Sequence, residues 1–158
     1  MIKREQIAGM NIHYLFYSLE YFLDAQAAAG IRTIEFWPGT PHFFLSYLEY
    51  SDCKRVRKLL NDRNLTLRVI TPENCTYQYQ FAAQEKEQFE KSLGYFKKAM
   101  DAGEELGAEI MAINSGWGYW NEEREEAWKR SREMLSMLAE YAKERGIRLA
   151  MESLRPQE

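Results

Sequence analysis

Carboxylates that end short apolar segments are the residues in this sequence whose type and position best suit catalysis. Glu35, Glu73 and Glu152 each lie at or just after the end of such a segment, and Glu158 follows Glu152 by six residues. A carboxylate at a buried strand end is costly unless it is ion-paired, hydrogen-bonded or bound to a metal. The position of Glu152 therefore predicts that it binds a metal or acts as a catalytic acid or base. The structural alternative is an ion pair with Arg155.

Weaker candidates accompany Glu152. For Glu35 and Glu73, pairing with Arg68 or a lysine is the structural alternative to a functional role. His42 lies in a Pro-His-Phe-Phe motif, where a packed loop histidine is the alternative to a ligand-binding one. His13 falls in the first, weak strand, where an inward-facing core histidine is the simpler account.

Apolar segments that alternate with helical patterns would position these residues. The predicted strands are Ile31 to Trp37, Leu65 to Thr71, Glu109 to Asn114 and Ile147 to Glu152, with a fifth and weaker one near Gly9 to Phe16. Several of them are almost continuously apolar, as in parallel sheets that are covered on both faces. Capping residues and terminal glycines delimit the helical patterns between them. These patterns run from Ser18 to Ala29, from Ser51 or Asp52 to near Asn64, up to Gly107, and from Asn121 to Gly146.

A recurring order of helix, glycine and apolar strand predicts serial βα architecture. An open doubly wound sheet and a closed eight-stranded barrel are the two candidates. The sequence has no GxGxxG and no GxxxxGKS/T motif, which disfavours a phosphate-binding doubly wound fold. Strands begin about every 35 residues, so eight repeats need roughly 280 residues, near the usual barrel size of about 250. We expect residues 1–158 to form one domain, the N-terminal portion of a (β/α)8 TIM barrel truncated after about five strands, with strands six to eight absent.

Composition excludes several classes of function. The chain is 46% hydrophobic and 28% charged with a net charge of −3, as in one globular domain. Nothing indicates a basic surface for nucleic acid or anionic lipid, and no apolar stretch is long enough to span a membrane. Cys53 and Cys75 form neither a CxxC motif nor a metal-type spacing. Two such cysteines and no apolar signal core predict a cytoplasmic protein.

Aromatic residues are concentrated after the ends of the predicted strands, among them Trp37, Tyr79, Trp117 and Trp120. Aromatic faces in such loops can stack on the apolar faces of sugars, or they can cover a barrel mouth or an oligomer interface. The residues alone leave both interpretations open. The glycine-containing loop 115–118 is most simply an ordinary connection between a strand and a helix.

The segment from Gly30 to His42, which reads GIRTIEFWPGTPH, resembles the xylose isomerase-like TIM barrels. In that family a strand of the pattern G-x-x-x-I-E-x-W follows a helix, and a Pro-His pair follows in the loop. The TPEN sequence at 71–74, with two tyrosines after it, is similar to fructoselysine epimerase-like members. The GIRLAME sequence at 146–152 is also typical, and the resemblance covers the chain from Gly9 to Glu158.

The resemblance implies a sugar or sugar-phosphate isomerase or epimerase with one divalent metal, Mn²⁺, Mg²⁺ or Co²⁺. Its reaction would move a proton beside a ketose carbonyl through an enediolate, with the metal as Lewis acid. By resemblance, Glu152 is both metal ligand and catalytic acid or base, and Glu158 contacts substrate hydroxyls. The other candidate substrate-binding residues are Glu35, Trp37, His42 and Glu73. A small sugar is the expected partner, without nucleic acid or membrane, and the complete enzyme is expected to be a homo-oligomer.

The resemblance also places the second catalytic glutamate, and the aspartate and histidine of the metal site, on strands six to eight. A lone Glu152 cannot hold a catalytic metal, so we expect the 158-residue chain to be inactive by itself. A non-catalytic half-barrel that assembles with itself or with a missing half is the main alternative, and a sugar sensor without the base is another. An apurinic-site endonuclease-like enzyme is less favoured, because the loop after the fourth predicted strand contains no histidine and the net charge is negative.

Overall fold

Strands and helices alternate along the chain in the computed structural model, which describes residues 2–45, 53–74 and 78–153. The strands are β1 (Ala8–Met10), β2 (Thr33–Phe36), β3 (Thr66–Ile70), β4 (Ile110–Ile113) and β5 (Arg148–Met151). The α-helices are α1 (Leu19–Ala28), α2 (Cys53–Asn61), α3 (Lys86–Leu106) and α4 (Arg124–Glu144). Short 3₁₀ helices precede and follow β1, at Arg4–Gln6 and Asn11–Tyr14. Within these ranges, no helix combines the length and the apolar character needed to cross a bilayer.

The five strands form one parallel sheet in which each strand pairs with the next one along the chain. An α-helix lies in each of the four connections. A doubly wound sheet would reverse its strand order at a switch point, and no reversal occurs among the described strands. Serial order of this kind is that of a TIM barrel. The predicted α/β class is therefore confirmed, as a five-stranded part of such a barrel.

The hydrophobic core lies between the sheet and its helices. Successive side chains of a strand point to opposite faces, so alternate residues reach this core. Ile34 and Phe36 of β2, and Met111 and Ile113 of β4, are buried in one cluster with helix residues such as Phe96. Packing of this face fixes where each strand ends, and with it the position of the polar residues that follow.

The opposite face of the sheet is the one that lines the interior of a barrel. Glu35 pairs with Val69, Val69 with Ile110, and Ile110 with Arg148. The first three are half-buried, whereas Arg148 is exposed. Exposure continues along β5, where Met151 is 57% exposed, and among the described strands β5 pairs with β4 alone.

The structure confirms two of the predicted helix-capping residues. The Ser18 hydroxyl accepts a hydrogen bond from the N–H of Tyr21 and so caps α1. Gly107 ends α3 with a φ of 86°, the left-handed conformation that glycine adopts most readily. The caps predicted for α2, Ser51 and Asp52, lie outside the described residues.

The first strand is shorter than predicted. Only Ala8–Met10 pairs with β2, whereas the weak strand was expected near Gly9 to Phe16. The chain turns into a 3₁₀ helix at Asn11, and the Asn11 side chain makes the bonds to the end of β2 that a longer backbone strand would make. His13 lies on that 3₁₀ helix and is exposed, so the prediction of an inward-facing core histidine is wrong.

Candidate active site

The carboxyl ends of the parallel strands meet at one edge of the sheet, which we call the carboxyl edge. Trp37 follows β2, Glu73 follows β3 after two intervening residues, and Asn114 follows β4. The backbone N–H of Glu152 donates to the carbonyl of Ile113 over 2.8 Å, so Glu152 extends β5 beside Asn114. The fold therefore brings the polar residues that follow β2 to β5 to the same edge.

Glu35 lies within β2, on the sheet face opposite the helices. Its Oε1 accepts a hydrogen bond from the Thr71 hydroxyl over 2.7 Å. The guanidinium of Arg68 instead donates to Glu109 over 3.2 Å. The structural alternative for Glu35, an ion pair with Arg68 or a lysine, therefore does not form among the described residues, and the partner of Glu35 is the neutral Thr71 hydroxyl.

Asn11 is a fully buried residue at this edge that the sequence interpretation missed. Its Oδ1 accepts a hydrogen bond from the N–H of Trp37 over 2.7 Å, and its Nδ2 donates to the Trp37 carbonyl over 2.9 Å. The same Nδ2 donates to Nδ1 of His42 over 3.0 Å. A backbone N–H can only donate, which fixes the orientation of the Asn11 amide. We call Asn11, Trp37 and His42 the β2 clamp; a polar residue directly after a weak apolar strand was the available signal.

His42 uses both ring nitrogens inside the β2 clamp. Because Asn11 donates to Nδ1, that nitrogen is the acceptor and Nε2 carries the proton. Nε2 donates to the carbonyl of Tyr17 over 2.8 Å, and the residue is buried. Neither nitrogen is left for a metal ion, and a role of His42 in substrate binding stays a prediction.

The Trp37 indole packs over Gly39, where a Cβ atom would overlap the ring. The indole Nε1 is buried and has no hydrogen-bond partner among the described residues. A buried N–H without a partner carries a cost of about 1–3 kcal/mol, so an acceptor oxygen placed against it would be favourable. The β2 clamp therefore fixes the backbone of Trp37, and the indole N–H lies inside the protein.

Two buried asparagines connect the ends of β3 and β4. Nδ2 of Asn114 donates to the carbonyl and to Oδ1 of Asn74, over 2.6 Å and 2.8 Å. Oδ1 of Asn114 accepts from the N–H of Gly116 over 2.8 Å, and Nδ2 of Asn74 donates to the Pro72 carbonyl over 2.9 Å. These amides therefore fix the loop backbone on either side of Glu73 and at the start of the β4–α4 loop.

Glu73 is positioned through its backbone. Its N–H donates to the hydroxyl of Tyr95 over 3.1 Å, and the Tyr95 ring stacks on Tyr79 with ring centroids 3.7 Å apart. Burial raises the pKa of the Tyr95 phenol, so the hydroxyl stays protonated at neutral pH. The stacked tyrosines therefore hold the loop that carries Glu73.

Glu152 is exposed and makes no ion pair with a described residue. The described residues contain no group of three histidine, cysteine or acidic side chains that could hold a metal ion. Carboxylate oxygen is a suitable ligand for Mg²⁺ or Mn²⁺. Glu152 can therefore supply one ligand of a metal site but not the site itself. Several residues named in the sequence analysis lie outside the described ranges, namely Cys75, Tyr77, Arg155 and Glu158.

The aromatic residues that follow strand ends divide into two groups. Phe43 and Phe81 are buried in the core, and Tyr79 is stacked on Tyr95. Trp120, by contrast, is exposed in the β4–α4 loop. Packing accounts for the first group, and the second remains available for contact with a ligand.

Known proteins share this sequence pattern. A family model described as xylose isomerase-like TIM barrel matches residues 23–158. A fructoselysine 3-epimerase from Escherichia coli O157:H7 is 31% identical over 137 residues, which cover 87% of this chain and 50% of that enzyme. The chain therefore spans about half the length of the curated relatives that it matches.

Solved structures share the fold. A 3-keto-D-glucoside 4-epimerase from E. coli has a TM-score of 0.76 at 13% identity, over 95% of this chain and 56% of that one. The IOLI protein with a binding zinc atom has a TM-score of 0.70 at 18% identity, over 89% of this chain and 48% of that one. Because the family model matches most of the sequence and the strand order agrees with it, the chain belongs to the xylose isomerase-like TIM barrel family.

Proposed function

We propose that this chain is part of a metal-dependent sugar isomerase or epimerase that acts on a ketose or a ketose phosphate. The observation that carries the proposal is the position of Glu152. It is an exposed carboxylate at the carboxyl edge, where TIM-barrel enzymes place their catalytic groups, and it makes no ion pair within the described ranges. The names of two relatives, a fructoselysine 3-epimerase and a 3-keto-D-glucoside 4-epimerase, support the same class of reaction.

The proposal includes the domain assignment. Residues 1–158 are the N-terminal portion of a single barrel, and strands six to eight supply the remaining catalytic groups. The match to about half of the curated relatives supports this assignment. It follows that the 158-residue chain alone is inactive.

Glu152 is the proposed acid–base group. Its carboxylate takes the proton from the carbon beside the ketone, and the electron pair of the broken C–H bond forms the double bond of an enediolate. A second acid on the opposite face of the sugar returns a proton to that carbon, which inverts the stereocentre. A bound divalent metal would supply Lewis-acid polarisation of the ketone oxygen, with Glu152 as one of its ligands. Mn²⁺, Mg²⁺ and Co²⁺ remain the proposed metals, and the zinc of the IOLI structure adds a fourth to test.

The remaining candidates are proposed to bind the substrate. Trp37 would pack against the sugar from the position in which its backbone bonds to Asn11 hold it. Glu35 and Glu73 would accept hydrogen bonds from sugar hydroxyls. His42 would act through Trp37, which it helps to hold, and Glu158 keeps its proposed contact with substrate hydroxyls.

Deuterium exchange into a ketose tests the proposal. The coding sequence is first read beyond codon 158, and the protein that it encodes is compared with residues 1–158 alone. Each is incubated with D-fructose and Mn²⁺ in D₂O, and proton NMR follows the loss of the C3–H signal. We expect exchange with the longer protein and none with residues 1–158.

Two variants of the longer protein make this experiment specific. Glu152→Gln should slow the exchange by about 10²–10⁴-fold, the usual contribution of an acid–base group. Glu140→Gln, at an exposed position on α4, is the matched control and should exchange at the wild-type rate. A stop codon directly after Glu158, or unchanged exchange in Glu152→Gln, would overturn the proposal.

A non-catalytic half-barrel is the second candidate, and the exposure of β5 favours it. Among the described strands β5 has a neighbour on one side only, and exposed strand edges tend to pair with other chains. Size-exclusion chromatography with light scattering on residues 1–158 separates the candidates. A discrete dimer supports the assembly module, whereas a monomer or non-specific aggregation contradicts it.

A further inference from the structure

Arg148 is a charged residue on the sheet face that lines the interior of a barrel. It begins β5 and pairs with Ile110 of β4, in the row of residues that continues to Val69 and Glu35. Barrel interiors are filled mainly by bulky apolar side chains, and arginine is almost never fully buried unless it is paired. Glu152 follows Arg148 by four residues, a distance of about 13 Å along a strand. Arg148 therefore lies away from the carboxyl edge and from the proposed catalytic groups.

The counterion of Arg148 is shared with a second arginine. Nη2 of Arg148 lies 3.7 Å from Oε2 of Glu109, which is beyond hydrogen-bond length. The guanidinium of Arg68 donates to the same oxygen from Nε and from Nη2, each over 3.2 Å. Arg148 makes no other ion pair with a described residue, and its side chain is 73% exposed. Two guanidinium groups thus face one carboxylate, and Arg68 makes the hydrogen bonds to it.

A further strand beside β5 would bury the Arg148 side chain. Among the described strands β5 pairs with β4 alone, and Ala150 and Met151 are exposed together with Arg148. Under the proposed domain assignment, the segment after residue 158 supplies the strand that pairs with the free edge of β5. Removing a cation from water is unfavourable unless an anion and hydrogen-bond acceptors compensate for the lost hydration. Because Glu109 is already bonded to Arg68, burial of Arg148 requires a second carboxylate.

We propose, on the basis of that domain assignment, that Arg148 binds an aspartate or glutamate of the strand that follows residue 158 and pairs with β5. The carboxylate would accept two parallel hydrogen bonds from the guanidinium, the bidentate geometry that arginine favours. Glu109 would keep its bonds to Arg68. The pair would also fix the register of the added strand, because a slip of one residue moves the carboxylate to the opposite face of the sheet.

A free anion and a second copy of the chain are the competing occupants. A phosphate ion needs a water-filled pocket, whereas the interior of a closed barrel is packed with side chains. Two copies that met through the same surface would each contribute Arg148 and Arg68 against one Glu109, so the excess of positive charge would double. An acidic residue on the added strand neutralises this excess, and it is therefore the favoured partner.

Urea unfolding of the longer protein, read beyond codon 158, tests the pairing. Its first apolar strand after residue 158 should contain an aspartate or glutamate at an inward-facing position. Arg148→Met in the longer protein should raise the equilibrium constant for unfolding by about 10²–10³-fold, because a buried carboxylate loses its partner. In residues 1–158 the same variant should change this constant by less than about fivefold, since exposed ion pairs contribute little. Arg132→Met, at an exposed position on α4, is the matched control and should change it little in both proteins.

A charge exchange separates ion pairing from packing. In the longer protein with Arg148→Glu, replacing the partner carboxylate by lysine should recover at least about tenfold of the lost stability. Three results would overturn the pairing. These are a following strand without an inward-facing acid, equal effects of Arg148→Met and Arg132→Met in the longer protein, or no recovery on charge exchange. Stabilisation of residues 1–158 by inorganic phosphate that Arg148→Met removes would instead show an anion site.

The deuterium exchange assay on the same proteins distinguishes this pairing from the proposed function. Exchange into D-fructose by a longer protein in which Arg148→Met behaves like the control contradicts the pairing alone. A confirmed pair in a longer protein that shows no exchange contradicts the proposed epimerase or isomerase activity alone. Arg148 lies outside the proposed catalytic groups, so folded Arg148→Met should exchange at close to the wild-type rate.

Discussion

The carboxyl ends of β2 and β5 lie at the same edge of one sheet but use their polar groups in opposite ways. At β2, the backbone of Trp37 and the ring of His42 are both bonded to the amide of the fully buried Asn11. At β5, Glu152 is exposed and makes no ion pair within the described residues. The first arrangement fixes the backbone, whereas the second leaves a carboxylate accessible to a ligand. Residue type alone does not distinguish these two roles; burial and hydrogen-bond partners do.

Strand neighbours account for part of this difference. β2 lies between β1 and β3, so side chains from adjacent strand ends can reach its polar groups. Among the described strands, β5 has β4 on one side only. Substitutions at the end of β2 should therefore have the larger effect on stability, whereas those at the end of β5 should act mainly on ligand binding and catalysis.

Asn11→Leu should give the largest loss of stability. It leaves the N–H and carbonyl of Trp37 and Nδ1 of His42 without their partner, at about 1–3 kcal/mol for each buried group. We expect the free energy of unfolding in urea to fall by about 4 kcal/mol. Asn121→Leu, at an exposed position, is the control and should change it little. A loss for Asn11→Leu no larger than the control would show that the β2 clamp adds no stability.

Gly39→Ala should have the next largest effect. The added Cβ overlaps the Trp37 ring, and making room in packed structure costs about 1–3 kcal/mol. Gly94→Ala is the matched control, and we expect it to raise the free energy of unfolding rather than lower it. Gly94 is exposed within α3 and an added Cβ meets no atom within 4 Å, so alanine should stabilise the helix by about 1 kcal/mol. Thermal unfolding measures both changes, and equal midpoints for the two variants would refute the packing of Trp37 on Gly39.

Acidification tests the ion pair between Glu122 and Arg130. Hydrogen bonds from Arg130 and from the Tyr119 N–H lower the pKa of Glu122 below its ordinary value of 4.5. Ionised Glu122 therefore stabilises the fold above pH 4.5, and this stabilisation is lost as the pH falls through the lowered pKa. The stability difference between wild type and Glu122→Gln should be constant from pH 7 to about 5 and shrink at lower pH. A difference that grows on acidification would contradict the ion pair.

Glu152→Gln should have the smallest effect on stability. An exposed side chain without an ion pair in the described ranges contributes little, so the free energy of unfolding should stay within about 0.5 kcal/mol of wild type. The same substitution is expected to slow deuterium exchange in the longer protein by about 10²–10⁴-fold. If Glu152→Gln lowers both the free energy of unfolding and the exchange rate, the loss of exchange would instead reflect a role of Glu152 in stabilising the structure.

Local patterns predicted most of the fold. Continuous apolar runs between helical patterns located β2 to β5 within two residues of their observed ends, and Ser18 and Gly107 marked helix termini. These signals depend on residues that are close in sequence. Strand alternation and helix capping are properties of a few neighbouring residues, so a single sequence contains them.

The missed features depend on contacts between distant residues. Asn11 bonds to residues 26 and 31 positions away, and Asn114 bonds to Asn74 across 40 positions. The shortened β1 has the same cause, because the Asn11 side chain replaces backbone pairing with β2. Glu35 accepts a hydrogen bond from the Thr71 hydroxyl rather than pairing with Arg68, whose guanidinium donates to Glu109, the residue before β4.

The order of the strands also determines how the sheet can be assembled during synthesis. Each strand after β1 pairs with the strand made immediately before it, so its partner is already in place when it leaves the ribosome. Among the described strands, only β1 and the most recently made strand have an unpaired edge at any moment. The sheet can therefore grow at the pace of translation, one helix and one strand at a time, without waiting for a distant segment of the chain.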